Sequence, residues 1–96
     1  MSVGFEWDAN KASMNLAKHA VSFDEATTVF NDPLAVIFDD PNHSSREQRE
    51  VIAGHSISRR LLLVCFSERP EERIRIFSAR PLTRRERKEY EENDRK

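Results

Sequence analysis

Apolar and polar positions along this chain change period several times, and each change marks an expected element. In "VGFEW", Val3, Phe5 and Trp7 fall on one side of an alternating segment, the pattern of a short strand. Asp8 follows as a helix N-cap, its carboxylate able to accept free backbone N–H groups, for a helix reaching about Lys18. Ala12 and Leu16 share a face of that helix, while Lys11, Asn15, Lys18 and His19 form a polar stripe. In "VSFDEATTVFNDP", Ser22 and Glu25 have the spacing of a capping box, and Val21 can staple onto Ala26. Ala26, Val29 and Phe30 make its apolar face, and Asp32-Pro33 stops this second helix, at about residues 23–31.

Beyond that point the period shortens. "LAVIFDD" is an apolar, partly β-branched run that reads as a buried strand, and "PNHSSRE" is a polar loop. Asp39 and Asp40 are paired carboxylates, but Pro41-Asn42 follows them, so they read as a strand-ending turn. "REVIAGHS" alternates, with Arg49, Val51, Ala53 and His55 on one face and Glu50, Ile52 and Gly54 on the other. "SISRR" is a turn, "LLLVCF" a central strand buried on both faces, "ERPEE" a second turn, and "RIRIFSA" the last strand. Pro81 ends it, and Thr83 with Glu86 makes another capping box, for a terminal helix of roughly residues 84–92.

The order β-α-α-β-β-β-β-α predicts an α+β fold, with an antiparallel sheet of hairpin-connected strands and the first two helices over one face. The terminal helix, "RRERKEYEEN", has Tyr90 as its one large apolar residue. It lacks a hydrophobic stripe, so charge and Tyr90, or a partner, must hold it.

A chain of 96 residues predicts one domain, residues 1–96, with a single modest core. Apolar content of 38% and charged content of 34% describe a soluble, highly charged domain. No apolar run approaches the ~20 residues of a membrane span, and no basic segment followed by an apolar one opens the chain. Cys65 is the only cysteine, which excludes an internal disulfide and a Cys-based zinc site. Within "LLLVCF" it reads as a small buried hydrophobe, and a reducing cytoplasm is the expected compartment.

The net charge of −1 argues against a bulk nucleic-acid binder, but the charge is segregated. Residues 1–58 hold four Lys/Arg against nine Asp/Glu, residues 59–88 ten against four, and residues 89–96 two against four. A basic block between two acidic ones can face phosphate on a near-neutral protein. It can equally pair with the acids around it.

"FEWDANKASMNLAKHAVSFDEATTVFNDP" resembles the N-terminal signature of the BrnT toxins, and "RIRIFSARPLTRRERKEYE" resembles their C-terminal signature. The middle, "REQREVIAGHS" and "RRLLLVCF", fits as well, so the resemblance spans about residues 5–92. It implies a RelE-like fold and the toxin of a type II toxin–antitoxin pair, a ribonuclease that stops translation. It also implies a BrnA-like antitoxin that binds and neutralises the toxin in a hetero-oligomer. DNA is contacted only indirectly, through the antitoxin. Ala20 stands where the family pattern has glycine, and it ends a helix less comfortably.

Metal-free RNA cleavage uses the 2′-hydroxyl as nucleophile. It needs a proton acceptor, a stabiliser of the extra negative charge and a donor to the leaving 5′-oxygen. Arginine suits the second role because its planar fork binds phosphate oxygens in pairs. Arg73 and Arg75 share a strand face with Phe77 and Ala79, opposite Ile74 and Ile76. With the isoleucines against the helices, the arginines line the open face of the sheet, where a RelE-like toxin keeps its cleft.

Arg80 sits at the strand's end. Arg84 and Arg85 open the last helix, where phosphate is also favoured. His19, by resemblance and by its place in "LAKHAVSF", is the acid–base candidate, with Lys18 adding charge. The expected catalytic set is therefore His19, Arg75, Arg80 and Lys18, and the expected RNA contacts are Arg49, Arg73, Arg84, Arg85 and Tyr90. The bland readings compete. Arg73 and Arg75 can pair with acids such as Glu50 or Glu68, His19 can cap its helix, and Tyr90 can anchor its own. His43 in the loop and His55 at a strand end are weaker candidates. No His pair has the i, i+4 spacing of a zinc site, so no metal or other cofactor is expected.

Three functions remain in view: a metal-independent endoribonuclease, a non-catalytic BrnT-like module that pairs only with its antitoxin or nucleic acid, and a plain nucleic-acid-binding domain. No helix-turn-helix pattern is visible, and Glu86, Glu89, Glu91 and Glu92 weaken a DNA-groove reading of the last helix. Salt dependence separates phosphate binding from a protein interface with an apolar centre.

Overall fold

A computed structural model describes residues 3–39 and 48–94 of the chain. The loop read in "PNHSSRE", with His43, lies outside the described residues, as does Asp40. The elements run β1 (Gly4–Glu6), α1 (Ala9–His19), α2 (Phe23–Thr28) with a 3-10 turn at Val29–Asn31, β2 (Val36–Asp39), β3 (Glu50–His55), β4 (Leu61–Arg69), β5 (Arg73–Pro81) and α3 (Arg84–Asp94). The fold is α+β, with a five-stranded sheet in the order β1-β5-β4-β3-β2. The sheet is mixed rather than antiparallel throughout as expected: β2 to β5 pair antiparallel, but β1 runs parallel to β5, because two helices rather than a tight hairpin follow it.

The helix starts follow their sequence signals. Asp8 accepts from Lys11 N–H at 3.0 Å, and Ser22 Oγ accepts from Glu25 N–H at 3.0 Å. The box at Thr83 is reciprocal: Glu86 N–H donates to Thr83 Oγ1 at 3.2 Å, and Thr83 N–H donates to Glu86 Oε1 at 2.9 Å. The box at Ser22 is only half made, because the Glu25 carboxylate turns away to Arg60 and to the Ser56 hydroxyl. Arg60 also donates to the Ala20 carbonyl at 2.9 Å, which ties the end of α1 to the β3–β4 turn.

The main core joins Phe23, Ala26 and Val29 to Ile52, Leu62, Val64, Phe66 and Ile76, with Val21 fully buried among them. Phe5 and Trp7 pack on its edge, against Phe30 and Phe23 at ring distances of 5.3 and 5.8 Å. Gly54 lets the chain after α2 lie close to the sheet. A Cβ there would come within 2.9 Å of the Ala35 Cβ and 3.2 Å of Val29. A second, smaller cluster uses the alternate residues of β3 and β4: Ala53, Leu61 and Leu63 meet Leu82 and Tyr90. Tyr90 is thus the anchor of α3.

Three placements differ from the periodic reading; the first is β2, expected to be buried but lying at the sheet edge with Ile37 and Phe38 exposed. Leu16 is 52% exposed, while Asn15, one residue before it, is buried. The Asn15 amide satisfies the backbone of Ala79 and the Val21 carbonyl, so a polar residue holds α1 on the sheet. Ala79 is fully buried in the main core and does not share the face of Arg75. A bulge causes this: Cys65 pairs with Ser78 and the next residue, Phe66, pairs with Ile76, leaving Phe77 as the extra residue of β5. Past it the alternation reverses, turning Ala79 inward and Ser78 and Arg80 outward.

A candidate RNA-binding groove

The outward face of the sheet is only partly covered by α3. What remains open is a cavity of about 670 Å³. Its floor is Val51, Ala53, Leu63 and Cys65, one wall is the α3 side with Glu86, Glu89 and Tyr90, and Lys11, Arg49 and Phe77 stand opposite. A second cavity, of about 520 Å³, lies between α1 and β5 and is lined by Met14, Ala17, Lys18 and His19. Lys11, Phe77 and Ser78 line both cavities, which therefore meet as one groove.

Cations line this groove, and several are already engaged. The Arg49 guanidinium sits 3.9 Å from the centroid of the Phe77 ring, and Lys11 Nζ sits 5.6 Å from it. Arg80 forks onto Glu86, with nitrogen–oxygen distances of 2.7 and 2.9 Å. The Arg80 hydrogen bonds hold the Glu86 carboxyl at about 2, against burial, which pushes it up, with the Thr83 backbone N–H assisting. One carboxylate thus caps α3 and fixes Arg80.

Arg73 and Arg75 converge on a different acid from the cross-strand ones expected. Glu6 on β1 faces Arg75 in the parallel register. It accepts from Arg73 Nε at 2.7 Å and from Arg75 Nη1 at 3.2 Å. The Arg73 hydrogen bond, then that of Arg75, holds the Glu6 carboxyl below its ordinary range. This paired group occupies the β1 edge and lines neither cavity.

Of the residues singled out from sequence, Lys18, His19, Arg49, Arg80 and Tyr90 line the groove. Tyr90 does so as a buried ring, edge-on to His55 at 6.0 Å, with its hydroxyl 3.5 Å from the Leu34 carbonyl. Arg84 and Arg85 are exposed on the first turn of α3 and line neither cavity. His55 stands outside the groove. Its backbone N–H donates to Asp32 at 2.8 Å, and its Nδ1 lies 3.7 Å from the same carboxylate. Lys11, Phe77 and Ser78 emerge as groove residues that the sequence reading left in a polar stripe or on a strand face. For Ser78 no signal was available, because only the bulge turns it outward.

Among the described residues no three His, Cys, Asp or Glu side chains stand together as a metal-ligand set, and no helix is long and apolar enough to cross a membrane.

Comparison with known proteins adds a name to this geometry. Residues 7–86 match the family described as "Ribonuclease toxin, BrnT, of type II toxin-antitoxin system". The 1.1 Å crystal structure of the Brucella abortus ribonuclease toxin BrnT superposes with a TM-score of 0.66 at 21% identity, covering 86% of this chain and 100% of that one. At that identity the likeness speaks to the fold. No curated protein matches the chain in sequence.

Proposed function

Because the chain belongs to the BrnT family, the ribonuclease toxins of type II toxin–antitoxin systems, we propose that it is a metal-independent endoribonuclease that cleaves RNA, inhibits translation and is neutralised by a BrnA-like antitoxin. The observation that carries this reading is the joining of the two cavities. It sets His19 and Lys18 in one continuous groove with Lys11, Arg49 and Arg80. An RNA strand lying along it would meet cations at several phosphates and an imidazole at one end.

In this reading His19 exchanges the proton at the 2′-hydroxyl or at the leaving oxygen, the task that imidazole performs best near neutral pH. Lys18 and Arg80 stabilise the charge that builds on the phosphate. Arg75 assists from the neighbouring edge, Arg49 and Arg73 contact flanking phosphates, and Arg84 and Arg85 extend the basic surface along α3. Tyr90 keeps α3 in place beside the groove. The arrangement, with α1 and α2 over the main core and α3 on the opposite sheet face, is the one we read as RelE-like. The toxin works in the cytoplasm, as a hetero-oligomer with its antitoxin when held inactive, and meets DNA only through that partner.

The engagement of Arg73, Arg75 and Arg80 by Glu6 and Glu86 favours a second reading, a non-catalytic module whose basic face serves the antitoxin alone. A cleavage assay separates the two. Purified protein is given bulk cellular RNA with and without EDTA, beside the His19→Ala and Arg80→Ala variants, with Lys88→Ala, at an exposed residue that lines neither cavity, as an off-groove control. Cleavage that survives EDTA and falls at least about tenfold in the first two variants only supports the ribonuclease. RNA left intact by well-folded protein, on free RNA and on translating ribosomes, supports the module.

A further inference from the structure

Phe77 is the extra residue of the β5 bulge, and its half-buried ring stands where the two cavities meet, with Lys11 of α1 and Arg49, just before β3, gathered on it. A ring that only filled the core would face apolar neighbours. This one faces solvent by the same alternation that turns Arg73 and Arg75 outward, and the bulge at its position brings Ser78 and Arg80 out to the same groove. We propose, resting on the ribonuclease reading above, that the larger cavity takes one unpaired base of an RNA strand. Phe77 is its stacking platform, and Lys11 and Arg49 hold the flanking phosphates.

The chemistry of the cavity divides by side. The accessible floor of Val51, Leu63 and Cys65 is apolar and suits the flat face of a base. Glu86 on the α3 wall is paired with Arg80, while Glu89 there and Asp39 at the β2 side carry negative charge that repels phosphate but leaves a neutral base unopposed. The sugar–phosphate backbone therefore passes on the α1 side, beside Lys11 and Arg49, and the base points inward toward α3. A volume of about 670 Å³ accommodates a nucleotide, in the middle of the range for small-ligand sites. The Arg49 guanidinium now covers the ring. On binding it moves to a flanking phosphate, and the base takes its place over Phe77. A base inside a duplex cannot reach this floor without leaving its stack, so the substrate class is single-stranded RNA, or a strand with one base turned out.

The test uses a dye-labelled 2′-O-methyl octanucleotide, which cannot be cleaved through its 2′-oxygen, with binding followed by fluorescence anisotropy. The same strand is compared as a duplex and with every base removed, on wild type, Phe77→Leu and Phe77→Trp. Loss of base stacking should weaken Phe77→Leu by at least about tenfold, and Phe77→Trp should bind as tightly as wild type or tighter. Duplex and abasic strands should also bind wild type at least about tenfold more weakly. That last comparison decides the matter even where Phe77→Leu fails a thermal-unfolding check.

Equal affinity for based, abasic and duplex strands overturns the proposal, because the groove then reads phosphate alone. If wild type cleaves bulk RNA yet shows that indifference, the ribonuclease reading stands without the base site. If wild type neither cleaves nor binds, both fall.

Discussion

The side-chain amide of Asn15 grips the backbone of Ala79 from both sides, donating from Nδ2 to its carbonyl at 2.8 Å and accepting its N–H on Oδ1 at 3.1 Å. Ala79 lies on the edge of β5 beyond Arg75, where pairing with β1 has ended, so its N–H and C=O on that edge need partners other than a strand. The same amide donates to the Val21 carbonyl at 3.0 Å. One polar side chain therefore sets the distance between α1 and β5, and with it the width of the groove that His19 and Phe77 line.

Removing that amide should be costly. Asn15→Ala leaves buried backbone groups unsatisfied, and urea unfolding should show a loss of about 2–4 kcal/mol. Leu16→Ala, at a side chain that is 52% exposed, should lose less than about 1 kcal/mol. The reverse ranking would mean that α1 sits on its other face.

Ala20 closes α1 in the left-handed conformation, at φ 57° and ψ 34°, with its N–H donating to the Leu16 carbonyl at 2.9 Å. A Cβ in that region costs about 1 kcal/mol, and glycine has no such cost. Ala20→Gly should raise unfolding stability by about 0.5–1 kcal/mol while leaving RNA cleavage unchanged.

Gly54 should tolerate nothing larger. A methyl group there meets the Ala35 Cβ at 2.9 Å and an Asp32 carboxylate oxygen at 3.0 Å, and that carboxylate is fixed by the His55 and Leu34 backbone N–H groups. Gly54→Ala is expected to cost about 1–3 kcal/mol by urea unfolding, with the chain after α2 pushed off the sheet.

The Arg80–Glu86 fork carries a pH signature. The Glu86 carboxyl lies at about 2 in the folded protein, against an ordinary 4.5. A depressed carboxyl contributes stability that is fully present above its unfolded value and lost as pH falls through its folded one. The window is therefore pH 4.5 down to about 2. The pair is partly exposed, so its contribution is about 1 kcal/mol after solvent screening. Wild type should exceed Glu86→Gln by that amount at pH 6, and the gap should close by about pH 2. A gap that persists there would show that the glutamine variant loses something other than the charge.

Salt should report on the groove. If three or four of Lys11, Lys18, Arg49 and Arg80 each meet a phosphate, the slope of log affinity for single-stranded RNA against log salt should be about −2 to −3. Arg49→Gln should flatten it by about 0.7. A slope near zero would remove phosphate from the account of this surface.

Much of this molecule was legible along the chain, because its signals are local. The caps at Asp8, Ser22 and Thr83 satisfy backbone groups within three residues of themselves, and each helix begins where they place it. The alternation of β3 and the apolar run of β4 reflect a strand period that needs no distant partner to be read. Lys18, Arg49 and Arg80 were nominated by type and position and His19 by the family resemblance as well, and all four line the groove, whereas Arg73, Arg75, Arg84 and Arg85, nominated on the same grounds of type, do not.

Tertiary structure decided what depends on parity and on partners far apart in sequence. A single extra residue at Phe77 reverses the face of everything after it in β5, and nothing in "RIRIFSAR" announces a bulge whose cause lies in pairing with β4. Asn15 reads as surface until Ala79, 64 residues away, offers it buried backbone groups. Arg73 and Arg75 find Glu6, 67 and 69 residues distant, rather than the nearer acids, because β1 joins the sheet parallel to β5 and brings that carboxylate alongside. A hydrogen bond or an ion pair forms with whatever the folded chain brings within about 3 Å, and that proximity is not written in the order of residues.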